Sequence, residues 1–114
     1  MVILYGIRNC DTVRKARRWL DGHGVDYRYH DLRGDGLDER VLEAWIGDFG
    51  WERLINRRGT TWRRLPVEER EPLDAARARD IMLAHPAIIR RPILELGASR
   101  HLGFSETDYA ALFS

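Results

Sequence analysis

The run Val2-Ile3-Leu4-Tyr5-Gly6-Ile7 is almost continuously apolar and predicts a buried strand. Arg8-Asn9 supplies a turn. From Cys10-Asp11-Thr12 onward the period changes: Val13, Ala16 and Leu20 recur at helical spacing, with Arg14, Arg17 and Arg18 mostly off that stripe. Gly22 and Gly24 end the helix. Val25, Tyr27 and Tyr29 then alternate with Asp26, Arg28 and His30, which predicts a second strand. Strand, helix and strand at this spacing imply a parallel pair with a right-handed crossover.

Asp35-Gly36 marks a turn, after which Leu37, Val41, Trp45 and Phe49 line one face of a second helix, with Leu42 and Ile46 beside them. A short helical piece is expected at Trp51–Leu54. Residues 55–66 form a polar stretch without clear period. Asp74 caps a further helix that buries Ile81, Ala78 and Met82, and His85-Pro86 ends it. Ile93-Leu94-Glu95-Leu96, Gly97 and Arg100-His101-Leu102 predict a hairpin. Ser105 and Asp108 form an acidic variant of a capping box, with Phe104 and Tyr109 placed as a hydrophobic staple. The order predicts a small mixed α/β sheet flanked by helices, with a helical insertion at about residues 34–90 between strands 2 and 3, as one domain over 1–114.

Composition narrows the classes. Hydrophobic content of 44% and charged content of 32% over 114 residues describe a globular chain with enough length for a core. No apolar run approaches the ~18 residues of a membrane span, and the N-terminal run reads as a strand rather than a signal peptide. Net charge is +1, which supplies no global field for nucleic acid or a membrane surface, so neither is expected as a direct partner. Basic side chains are nearly all arginine, Lys15 being the single lysine. Histidines 23, 30, 85 and 101 lack metal-ligand spacing, and no metal is expected. The four tryptophans suit packing.

Cys10 is the single cysteine, so no internal disulfide can form and a cytoplasmic location is expected. Its place where a strand hands over to a helix carries the chemistry. A thiol there meets unpaired backbone N–H groups and the positive end of the helix dipole, both of which favour the thiolate. Arg8 is either a solvated turn residue or a cation beside the sulfur. Asp11 suits the helix N-terminus but its charge opposes a thiolate, and Thr12 either fills the first turn or offers a hydroxyl to a ligand.

Three motifs then resemble a known family. A strand leading to a helix-opening cysteine, a late proline before a hairpin and a closing helix resemble the thioredoxin superfamily. Tyr5-Gly6-Ile7-Arg8-Asn9-Cys10-Asp11-Thr12, Arg57-Arg58-Gly59-Thr60-Thr61-Trp62 and Arg90-Arg91-Pro92-Ile93 are similar to the arsenate-reductase-like (ArsC/Spx) family, in its YffB-type branch. The resemblance implies a thioredoxin-like four-stranded mixed sheet with Pro92 in cis. It implies that Arg91 and Pro92 face Cys10 across a shallow cleft; Arg8, Asn9, Asp11, Thr12 and Arg58 are the further candidate substrate contacts.

Departures matter as much. Where arsenate reductases of this family carry a histidine and an asparagine before the cysteine, this chain has Gly6 and Ile7. Of their three oxyanion arginines, Arg91 matches one, while the other positions hold Asn56 and Gly103; Arg57 or Arg58 could substitute for one. Where Spx proteins usually have a second cysteine, this chain has Val13. The expectation is therefore a monomeric oxidoreductase, a glutathione-dependent thiol-disulfide reductase. Its nucleophile is Cys10, and glutathione as co-substrate supplies the resolving thiol. Its partners are a small-molecule or protein disulfide and glutaredoxin. Arsenate reduction, an Spx-like regulator docking on RNA polymerase, and a member that kept the fold but lost turnover are the alternatives.

Overall fold

A computed structural model describes all residues, Met1–Ser114. Four strands, β1 (Val2–Gly6), β2 (Arg28–Asp31), β3 (Ile93–Leu96) and β4 (Ser99–Leu102), form one sheet in the order β2-β1-β3-β4. β1 and β2 run parallel, and β1–β3 and β3–β4 antiparallel. This is the mixed, thioredoxin-like sheet that the residue pattern and the resemblance imply.

The chain divides into two compact units, Met1–Asp31 with Arg91–Ser114, and Leu32–Arg90. The first holds the sheet, α1 (Asp11–Gly22) and α7 (Glu106–Leu112). Val13, Ala16 and Leu20 are buried along α1, as their spacing requires. Ala16 and Leu20 join Leu4, Leu94 and Tyr109 in the core, against which Val25, Tyr27, Tyr29 and Phe104 pack. Ser105 caps α7: its Oγ accepts from the Asp108 amide at 3.0 Å. The Phe104 and Tyr109 rings meet edge-on at 4.7 Å, so the staple is formed.

β2 begins later than the alternation predicts. Val25 and Tyr27 pack on the core cluster, but the ladder starts at Ile3 with Arg28. Alternation records which side chains meet the core, whereas strand pairing needs a partner backbone.

The second unit contains α2 (Glu39–Phe49), α3 (Trp51–Leu54), α4 (Thr60–Arg64), α5 (Val67–Arg70) and α6 (Ala75–Ala84), then a 3-10 turn at Pro86–Ile88. Asp38 and Asp74 cap α2 and α6 through side-chain bonds of 2.8 Å to the amides of Arg40 and Arg77. α2 buries Leu42 and Trp45; Val41, Ile46 and Phe49 are only half-buried, so the buried stripe lies beside the expected one. Residues 55–66, expected as irregular, contain α4, and α5 follows it. A bridge between Ile55 and Ile89, with bonds from Asn56 N to Ile88 O (2.8 Å) and Arg90 N to Leu54 O (2.7 Å), ties the segment that follows α3 to the unit's end.

Candidate active site around Cys10

The loop between β1 and α1 is shaped by two residues. Gly6 has no side chain where one would collide: an added Cβ would lie 2.7 Å from Val13 Cγ1. Its absence lets α1 approach the sheet. Asn9 takes a left-handed conformation (φ 69°), which asparagine tolerates better than most residues.

These two turn the chain so that Cys10 becomes the residue that starts α1. Its carbonyl accepts from the Arg14 amide at 3.0 Å. Its side chain makes no capping bond, and the residue is half-buried beside the amides of the first turn. Asp11 and Thr12 are exposed. Asp11 pairs with Arg14, and that guanidinium holds its carboxyl below the usual range. Asp11 therefore stabilises the helix start.

Arg8 is 81% exposed, and its Nε lies 3.8 Å from Oδ2 of Asp31, which is only 15% exposed. The strand register explains the pairing: Gly6 stands opposite Asp31 at the ends of the parallel strands. Asp31 was not among the residues expected at the site. The nearest sequence signal is its position two residues beyond Tyr29 on the alternating strand.

Pro92 is buried and joined to half-buried Arg91 by a cis peptide bond. Because Ile93 pairs with Tyr5, Pro92 lies level with Gly6, at the end of the strands from which the Cys10 loop departs. The Pro92 carbonyl accepts from Gly103 N at 2.8 Å. Thus segments 8–12 and 91–92 belong to one unit and to the same end of its strands. Arg58 belongs to the other unit. It is exposed there, its amide donates to Asn56 Oδ1 at 3.1 Å, and its carbonyl accepts from Arg63. Its neighbour Arg57 lies over the Trp62 ring, 5.9 Å from the centroid. No group of three or more His, Cys, Asp or Glu is arranged to hold a metal, and no helix is long and apolar enough to cross a membrane.

The profile of the ArsC family matches residues 5–112. The chain belongs to the ArsC family. Among its ArsC relatives, an uncharacterised protein of Haemophilus influenzae is 41% identical over the full length of both chains. The global transcriptional regulator Spx of Streptococcus pyogenes is 31% identical, the match covering all of this chain and 86% of Spx. Among solved structures, YFFB (PA3664) protein is 45% identical with a TM-score of 0.95 and full coverage of both chains. An arsenate reductase (ArsC) related protein from Brucella melitensis is 47% identical with a TM-score of 0.77, over 99% of this chain and 94% of that one.

Proposed function

We propose that this ArsC-family chain is a glutathione-dependent thiol-disulfide reductase in which Cys10 is the nucleophile. The observation that carries this is the placement of Cys10: half-buried at the N-cap of α1, with its side chain free of any capping bond. Anions are stabilised at such helix starts by the unpaired amides and the dipole.

The Cys10 thiolate attacks the glutathionyl sulfur of a mixed disulfide R–S–SG. The bond from Cys10 Sγ to that sulfur forms, the S–S bond of the mixed disulfide breaks, and RS⁻ leaves with its sulfur. A glutathione thiolate then attacks the Cys10–glutathione disulfide, releasing oxidised glutathione and regenerating the Cys10 thiolate. Net, one R–S–SG and one glutathione become RSH and oxidised glutathione. With one cysteine in the chain, the resolving thiol comes from outside. Arg8 and Arg91 are the proposed donors to the two glutathione carboxylates, with Asn9, Asp11 and Thr12 as loop contacts and Pro92 as a wall. The working location is the cytoplasm, with the chain a monomer. Glutaredoxin is a candidate partner for reducing the glutathionylated form.

The test is turnover. Reduced glutathione and a glutathionyl mixed disulfide should yield oxidised glutathione in proportion to wild-type protein, and Cys10→Ser should fall to the uncatalysed rate. Equal rates for the two proteins would refute the proposal. Arsenate in place of the disulfide, with glutathione and glutaredoxin present, should give no protein-dependent turnover, because Gly6, Ile7, Asn56 and Gly103 replace the family's oxyanion groups.

A second reading, partner binding without thiol chemistry, is favoured by the likeness to Spx. It predicts that Cys10→Ala retains cellular function while a surface substitution abolishes partner capture.

A further inference from the structure

More than a turn along α1 from Cys10, the helix presents a further flank to solvent. Lys15, Arg18, Trp19 and Gly22 share it at helical spacing. Together with the chain entering α7, at Phe104 and Glu106, this flank bounds an open cleft of about 400 Å³. Small-molecule sites span roughly 300–1,000 Å³. Every residue of the cleft belongs to the unit that holds the sheet.

Its floor is aromatic. Trp19 and Phe104 pack on the core cluster, and both rings meet the buried Tyr109 edge-on, at 5.6 and 4.7 Å. Both residues are only half-buried, so the core anchors one side of each and the cleft takes the rest. His23, just past the helix end, lies flat on Trp19, with 3.8 Å between centroids and 18° between planes. Its Nδ1 is 2.8 Å from the Trp19 carbonyl oxygen. A carbonyl only accepts, so Nδ1 donates and the imidazole is held in place as a side wall.

The rim is cationic. Of the arginines on α1, Arg14 pairs with Asp11, and Arg17 donates to the Tyr27 hydroxyl at 3.3 Å and covers the Tyr29 ring. Lys15 and Arg18 are exposed and have no carboxylate partner. They are neighbours three residues apart, where like charges repel. Glu106 is the single carboxylate on the cleft, so cations outnumber it two to one.

Gly22 leaves the space bare. It sits inside α1 without the positive φ that favours glycine, and an added Cβ would meet no atom within 4 Å. Glycine is a poorer helix former than any residue but proline. Neither backbone nor packing calls for it here.

We propose that this cleft binds a small aromatic anion, a flat ring of one or two cycles bearing a carboxylate or a phosphate. The ring lies against Trp19, Phe104 and His23, and the anionic head meets Lys15 and Arg18. The site stands apart from Cys10 and does not depend on the reductase reading.

The test is titration of the full chain with 1-naphthyl phosphate and with 1-naphthoate, followed by amide and indole N–H shifts in NMR. 1-Naphthol and inorganic phosphate are titrated as the separate halves. At least one naphthyl anion should give saturable shifts at residues 15–23 and 104–106, with each half binding at least tenfold more weakly. Lys15→Gln with Arg18→Gln should weaken binding about tenfold. Arg14→Gln with Arg17→Gln removes the same charge elsewhere on α1 and should change binding less than twofold. Gly22→Leu should fill the cleft and abolish binding without lowering the thermal midpoint; should it unfold the chain, the Lys15 and Arg18 pair decides. No saturable shift at these residues, or equal losses in the two double variants, would overturn the proposal. Inorganic phosphate binding as tightly as naphthyl phosphate would mean an adventitious ion only, and would overturn it too. Shifts centred on residues 7–12 would put the anion at the Cys10 loop and do the same.

Discussion

Tyr109 shows at single-residue scale how burial writes a pH dependence into this fold. It is fully buried, its hydroxyl has no hydrogen-bond partner, and burial pushes its phenol well above the ordinary value. An unfolded tyrosine ionises near pH ~10. Above that pH the unfolded chain gives up a proton that the folded chain keeps. Stability is therefore fully present below pH ~10 and falls as pH rises further, by about 1.4 kcal/mol per unit for this one group. Tyr109→Phe should leave stability near neutrality unchanged or slightly higher and reduce the alkaline loss, measured by thermal unfolding from neutral to strongly alkaline pH. Tyr5 and Tyr29 are shifted the same way, so part of the loss should persist. An unchanged alkaline slope in the variant would contradict this account of Tyr109.

At the scale of elements, the junction of β1 and α1 makes the site. Gly6→Ala would drive a methyl group into Val13, and overpacking of this kind costs about 1–3 kcal/mol. A lowered urea midpoint with an unchanged slope is the expected result. Ser105→Ala removes the cap of α7 and should cost about 1 kcal/mol by the same measurement. Much of this level was legible in the residues. The apolar run of β1, the stripe of α1, the caps of α6 and α7 and the closing hairpin all carry local signals strong enough to place them. What was missed is short or shared. α4 and α5 span five and four residues, too few to establish a period, and the buried Trp62 and Leu65 are separated by Arg63 and Arg64.

At the scale of the whole molecule, the ArsC family assignment and the sheet order agree with the motifs read from residues 5–12, 57–62 and 90–93. The candidate site was only partly legible. Cys10, Arg8 and Asn9 are adjacent in sequence and needed no fold to be grouped. Asp31 reaches Arg8 through a parallel register, Gly6 opposite Asp31, which the hydrophobic pattern does not set. The departures from the arsenate-reductase pattern bear on chemistry rather than fold, since Gly6 now serves the approach of α1. The most direct test of the central claim is the intact mass of the protein after incubation with oxidised glutathione. Wild type should gain one glutathionyl group, removable by reductant, and Cys10→Ser should gain none. A wild-type mass that stays unchanged while the same Cys10 remains free to alkylate would contradict the account.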